Sequence, residues 1–185
     1  LPIKYLVIGA GFAGIELAAE LALCTTHIAH KHKISQNQCT SITLVEAAPQ
    51  MLPMVIDWER IMIKKRMGEL GIEIMENASI AEVKDDHTAV LKDGRELTAD
   101  FVIWTAGVKS PEIIKSISGL ELNQGGRIIV NESLQVNNFK NVFAVGDNVV
   151  FDDVTTKKPI PQMAFMAMEQ ARVVARNIKK LTRSQ

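Results

Sequence analysis

Residues Ile3 to Ile8 form a nearly continuous apolar run, after which the chain passes through Gly9-Ala10-Gly11-Phe12-Ala13-Gly14 into an Ala-, Leu- and Glu-rich stretch ending near Leu23. The run predicts a parallel strand buried on both faces, and Gly14 to Leu23 has the composition of a strong helix. Thr25 to Ser41 is polar; its first part can prolong the helix, and Ser35-Gln36-Asn37-Gln38 reads as its end. Ile42 to Glu46 follows as a second strand. Asp57 is the expected N-cap of a helix from Trp58 to about Leu70, with Ile56, Ile63, Met67 and Leu70 along one side and Gly71 at its C′ position.

Ile72 to Met75 returns as a strand. Ser79 to Lys84, His87 to Lys92 and Arg95 to Ala99, with Asp93-Gly94 between the last two, predict an antiparallel meander. Phe101 to Trp104 is a further apolar strand ending in Thr105-Ala106-Gly107. Ser118 to Gly126 reads as a loop, Arg127 to Val130 and Val142 to Val145 as strands, and Lys157 to Pro161 as another loop. Met163 to about Leu181 is a helix with Ala171, Val174, Ala175 and Ile178 on one face; Lys179, Lys180 and Arg183 sit favourably near its C-terminus. The alternation of strand and helix places the chain in the α/β class.

Composition narrows the partners. With 47% apolar and 23% charged residues over 185 positions, the chain has enough apolar surface for one large or two small domains. Its 21 basic and 21 acidic side chains cancel, so no nucleic-acid partner is expected. Cys24 and Cys39 form no CxxC, which speaks against a disulfide framework, a zinc ribbon or a disulfide reductase and favours a reducing, cytoplasmic setting. No apolar run approaches the roughly 20 residues of a bilayer span, so no transmembrane segment is expected.

The glycines carry the chemistry. A Gly-x-Gly-x-x-Gly turn between strand and helix suits a dinucleotide: Gly9 allows the tight turn, Gly11 lets backbone approach a pyrophosphate, and Gly14 lets helix pack on strand, with the anion at the helix N-terminus. Glu46, at the end of the second strand, is placed to accept hydrogen bonds from a ribose 2′-OH and to repel a 2′-phosphate, which predicts NAD over NADP; the alternative is an exposed strand-end carboxylate. From Gly14 to Glu46 is 32 residues, against the usual separation of about 20. The excess is the polar segment with His27, His30 and His32, which reads as solvated histidines rather than a metal site. Gly146-Asp147, after an apolar strand, can contact a ribose or polyol, or be an ordinary turn.

Taken in order, GAGFAGIELAAE (Gly9 to Glu20), ITLVEAAPQMLP (Ile42 to Pro53), KDGREL (Lys92 to Leu97), FVIWTAGV (Phe101 to Val108) and NVFAVGD (Asn141 to Asp147) resemble the two-dinucleotide flavoprotein oxidoreductases of the pyridine nucleotide-disulfide oxidoreductase superfamily. Within that group the chain is most similar to the type II, non-proton-pumping NADH dehydrogenases, including the polar insertion after the first helix. The resemblance implies a Rossmann-like parallel sheet with an antiparallel β-meander as an NADH-binding domain over residues 1–130. Residues 131–185 would supply a C-terminal strand and helix of an FAD-binding domain whose N-terminal half is missing, so that the chain is a fragment.

Family roles carry over where residues match. Gly9, Gly11 and Gly14, with Phe12 and Ala13 between them, would hold the NADH pyrophosphate, Glu46 the adenosine ribose, and Gly107 would line the nucleotide path. Glu16 resembles the catalytic glutamate near nicotinamide and flavin; the alternative is a carboxylate stabilised by the helix dipole. Gly146 and Asp147 would contact FAD, with Ala164 a further cofactor-binding position. Where type II enzymes carry Ala-Gln and a later Gln near the quinone, this chain has Ala164-Phe165 and Glu169-Gln170. Phe165, Met166 and Met168 form either an apolar acceptor site or core.

The expected activity of the whole protein is therefore hydride transfer from NADH to FAD and onward to a quinone or another acceptor, peripheral to the inner face of the membrane. The fragment alone is expected to be inactive and to self-associate through its bared final strand and helix. The alternative is a non-catalytic NAD-binding or interaction module.

Overall fold

The computed structural model describes residues 2–183 apart from 86, 154, 156 and 158. Two compact units divide at Gly107, Leu1–Gly107 and Val108–Gln185. The expected functional boundary at residue 130 does not coincide with this division in packing, because residues 108–130 share a core with Val136 and Val149.

In the first unit β1 (Ile3–Ile8) leads through the glycine turn into α1 (Phe12–Lys31), a single-turn α2 (Gln36–Cys39) and β2 (Thr40–Val45). Then come α3 (Asp57–Glu69), β3 (Ile72–Met75), the strands β4 (Ile80–Asp85), β5 (Thr88–Leu91) and β6 (Glu96–Thr98), and β7 (Phe101–Trp104). The parallel sheet has the order β3-β2-β1-β7, and β4-β5-β6 form the expected antiparallel meander. Side chains alternate across β1, which explains the unbroken apolar run. Val7 packs with Ile42, Leu44, Ala18, Ala22 and Met67 beneath α1 and α3. Leu6 and Ile8 face the other way, against Ala89 and Leu91 of the meander.

Helix α1 lies close to the sheet because its buried stripe is made of small residues, Gly14, Ala18, Ala22, Thr25 and Ala29. It outruns the expected Leu23 and stops at Lys31, before Ser35 to Gln38, with Lys33 in the left-handed region (φ 57°). Thr25 explains the extension: its buried hydroxyl donates to the Leu21 carbonyl (2.8 Å) and meets Thr40 (3.2 Å), fastening the polar segment to β2.

Ile56, not Asp57, is the N-cap of α3, and it makes no side-chain capping bond. Asp57 instead pairs with Arg60 at 2.6 Å. The buried Arg60 guanidinium organises the preceding loop, donating to the carbonyls of Met51 (2.9 Å) and Val55 (2.5 Å). Ile56 is therefore exposed rather than part of the inward side, which Met67 and Leu70 do supply. Gly71 has the expected left-handed C′ conformation (φ 73°).

The second unit holds α4 (Glu112–Lys115), the parallel pair β8 (Ile128–Ile129) and β9 (Val149–Val150), and α5 (Ala164–Arg183) around Ile114, Ile128, Val136 and Val149. Val142 to Val145 is not a ladder strand. It lies antiparallel to residues 134–136 through one bridge, Gln135 to Phe143, and no second neighbour extends the pairing among the described residues. Of the loop expected at Lys157 to Pro161, residue 158 lies outside the described residues.

The expected face of α5 is also displaced. Met166, Ala167, Gln170, Val173, Val174 and Asn177 are half-buried, whereas Ala171, Ala175 and Ile178 are exposed. A helical period defines an apolar stripe without saying which stripe meets a neighbour.

Lys64 hydrogen-bonded to Glu76 (2.6 Å), together with the Met51 amide, holds the Glu76 carboxyl below its ordinary value of 4.5. Because the folded-state pKa is depressed, this stabilisation is fully present above 4.5 and is lost as pH falls through the folded value. Glu76→Gln should cost about 1 kcal/mol at neutral pH, with the deficit vanishing on acidification; urea unfolding at neutral and acid pH measures both.

Candidate functional site: a glycine-walled cleft

The C-terminal ends of β1, β2 and β7 and the start of the meander wall a cleft of about 400 Å³. Its floor is the glycine turn. Gly9 takes φ 105° and donates its amide to the Val45 carbonyl at 2.8 Å. A Cβ on Gly9 would sit 2.9 Å from the Ala106 backbone, and one on Gly14 would sit 1.9 Å from the Gly9 carbonyl oxygen. These two glycines thus close the turn on itself. Gly11 differs: its φ is −77°, nothing lies within 4 Å of its would-be Cβ, and it lines the cleft.

As N-cap of α1, Gly11 makes no side-chain capping bond, and no acidic residue occupies the first turn. Amides there are available to an anion, favoured by the helix dipole. Open space at Gly11, backed by those amides, fits a pyrophosphate.

Glu46 has both carboxylate oxygens engaged. Oε2 accepts the Ala10 amide at 2.9 Å and Oε1 accepts the Ala48 amide at 2.8 Å. Its backbone is equally bound, with its amide donating to the Met75 carbonyl and its carbonyl accepting from Ala78, both at 2.8 Å. A carboxylate has about four lone-pair sites, so acceptor capacity remains for a ribose diol.

On the opposite wall Thr105 Oγ1 donates to the carbonyls of Ile8 (2.9 Å) and Gly9 (3.0 Å), and Trp104 Nε1 donates to the Ala106 carbonyl (2.7 Å). Gly107, with φ 76°, completes that rim.

The structure therefore brings Gly9, Gly11, Glu46 and Gly107 to one cleft. Phe12 and Ala13 are exposed in the first turn of α1 and Gly14 is buried beneath it; none of the three lines the cleft. Glu16 lies one turn further, exposed, outside the lining and beyond the first helical turn. Sequence reasoning missed Ser79, Lys92 and Trp104, which also line the space. Lys92 ends a predicted strand just before Asp93-Gly94, and the turn signal there masks the side chain beside it.

Gly146, Asp147 and Ala164 belong to the second unit. Gly146 has φ 73° and donates its amide to Gln170 Oε1 at 2.7 Å; the Asp147 carbonyl accepts from Gln162 Nε2 at 2.9 Å, and Gln162 Oε1 accepts from Arg127 at 2.6 Å. The cavity at this turn is about 10 Å³, the size of a water.

Among the described residues no group of three or more His, Cys, Asp or Glu could hold a metal. Helix α1, contrary to the expectation from sequence, is long and apolar enough on average to match a membrane span. In this structure its small-residue stripe packs on the sheet.

The sequence pattern described as pyridine nucleotide-disulphide oxidoreductase matches residues 1–171. A type II NADH:quinone oxidoreductase of Staphylococcus aureus is 32% identical over 182 residues, 97% of this chain and 44% of that protein. The chain thus spans less than half the length of that relative. Among solved structures, reduced Bacillus anthracis CoADR-RHD matches with a TM-score of 0.73 and 25% identity over 96% of this chain and 29% of that one. An FAD-dependent pyridine nucleotide-disulphide oxidoreductase from Desulfovibrio vulgaris matches with a TM-score of 0.71 and 27% identity, covering 96% and 43%.

Gly14→Ala should cost about 3 kcal/mol or more through its clash with backbone, lowering the melting temperature sharply. Gly11→Ala should melt within a few degrees of wild type while losing nucleotide affinity, since its methyl group enters the cradle. Thermal melts paired with calorimetric NADH titration separate the two effects.

Proposed function

We propose that this chain, which belongs to the pyridine nucleotide-disulphide oxidoreductase family, supplies the NADH-binding part of an NADH dehydrogenase-like flavoprotein. The observation that carries the reading is the pairing, in one cleft, of the open cradle at Gly11 with the positioned carboxylate of Glu46. The first-turn amides of α1, around Phe12, Ala13 and Gly14, hold the NADH pyrophosphate, and Glu46 accepts from the adenosine ribose. Gly107 borders the nucleotide, and Glu16 stands at the nicotinamide end as the residue nearest the chemistry. NADH supplies the hydride; the chain's own task is to hold and orient it, and no side-chain nucleophile is needed.

In the whole protein the hydride acceptor is FAD, and electrons pass on to a quinone or another acceptor, at the inner face of the membrane and on its cytoplasmic side. Residues 1–130 serve the NADH domain and 131–185 the FAD domain, with Gly146, Asp147 and Ala164 at its cofactor. No step through flavin is assigned to this chain's residues. A second reading for the isolated chain is a nucleotide-binding module without turnover, because the cleft is lined by residues of the first unit alone.

Self-association belongs to the same proposal. Phe165, Met168, Ile178 and Leu181 of α5 are 59%, 55%, 45% and 42% exposed. Exposed large apolar side chains of this kind favour association.

Calorimetric titration of the chain should show NADH binding and no FAD binding. Stoichiometric FAD binding overturns the account of the second unit, and absence of NADH binding overturns that of the cleft. Light scattering should give a mass above the 20.4 kDa monomer, falling toward it in Met168→Lys/Ile178→Lys; a wild-type monomer refutes self-association.

A further inference from the structure

The cleft holds two charges of opposite sign, and only one of them is already bonded. Glu46 lines one wall with both oxygens accepting backbone amides. Lys92 lines the same cleft from the end of β5, its backbone amide anchored to the Ser79 carbonyl at 2.8 Å. Nearby acids of the meander are occupied: Asp93 pairs with Arg95 at 2.8 Å, Glu96 pairs with Lys84, and Asp85 accepts the His87 amide at 2.8 Å. Among the described residues no carboxylate lies within ion-pair distance of the Lys92 ammonium.

We propose that Lys92 is a specificity-determining residue that admits a 2′-phosphate at the adenosine end, so that the cleft accepts NADPH as well as NADH. The proposal rests on the reading of this cleft as a nicotinamide-nucleotide site. Two physical points carry it. First, the amides of Ala10 and Ala48 offset part of the Glu46 charge, so its repulsion of a phosphate is weaker than that of an unbonded carboxylate. Second, the exposed Lys92 ammonium at the cleft, without an ion-pair partner among the described residues, makes a charge-assisted hydrogen bond to phosphate oxygens, whereas a ribose hydroxyl offers it only a neutral acceptor. The preference that Glu46 alone predicts is therefore narrowed by a residue on a different element.

The test is titration of wild type, Lys92→Gln and Lys92→Arg with NADH and with NADPH at low and high salt, fold being checked by thermal melts. In Lys92→Gln the NADPH affinity should fall about five-fold relative to that for NADH. The difference should shrink at high salt, and Lys92→Arg should restore the wild-type ratio. An unchanged NADPH-to-NADH ratio in Lys92→Gln overturns the proposal while leaving the cleft as an NADH site, and an equal loss for both nucleotides overturns it in favour of a structural role. If wild type binds neither nucleotide, the reading of the cleft falls and this proposal with it.

Discussion

Every functional feature of the first unit depends on the two hydrogen bonds that the Glu46 carboxylate accepts from backbone. One ties β2 to Ala10, inside the glycine turn; the other closes the loop at Ala48. Amide bonds to a charged acceptor contribute about 1.5–3 kcal/mol each, against about 1 kcal/mol or less for an exposed ion pair such as Lys115 with Glu112. The tie therefore ranks above the surface charge pairs in fixing local structure. With Ala10 fully buried and held by Glu46, the next residues can turn their amides outward at Gly11 without a capping side chain. A residue that reads as a ribose ligand is thus also part of the frame that shapes the pyrophosphate cradle.

Much of that frame is legible in the sequence because its constraints are local. Gly14 is required by the Gly9 carbonyl within the same turn, and Gly9 by its own φ of 105°, with the close contact to Ala106 after β7 a further demand that lies outside the local motif. The meander is legible because period-2 alternation and Asp93-Gly94 both point to it, and β4, β5 and β6 begin or end within a residue or two of the expected bounds. Lys92 is not legible as a cleft residue, since its role comes from the meander crossing the open end of the sheet, a placement that no local pattern encodes. Asp57 misleads for a related reason. Its type suits an N-cap, but the buried Arg60, which no propensity rule brings inward, takes its carboxylate.

The second unit shows the limit of periodicity. Val142 to Val145 has strand composition, yet a strand is defined by its neighbours, and residues 134–136 provide only one bridge. Helix α5 has a clear apolar and polar division, yet the half-buried side is centred on Met166, Gln170 and Val173 rather than on Ala171 and Ile178. Both departures have one cause: pattern states that a surface is apolar, and packing decides whether anything covers it. Polar contacts decide the rest, because Gln170 reaches the Gly146 amide and so rotates α5 to bring its own column inward.

Helix α1 makes the same point from the opposite direction. By length and mean hydropathy Phe12–Lys31 passes for a membrane span, but the stripe it buries is made of Gly14, Ala18, Ala22, Thr25 and Ala29 rather than of the Leu, Ile and Phe residues that raise the average. Burying an alanine methyl yields little transfer free energy beside leucine or isoleucine. What alanine and glycine provide is approach: without large side chains at Gly14, Ala18 and Ala22, the helix axis lies near the sheet and its N-terminus ends at the cleft floor. A helix with leucine at those positions would be more hydrophobic, would stand further from β1, and would carry its first-turn amides out of reach of an anion held against Gly9 and Gly11.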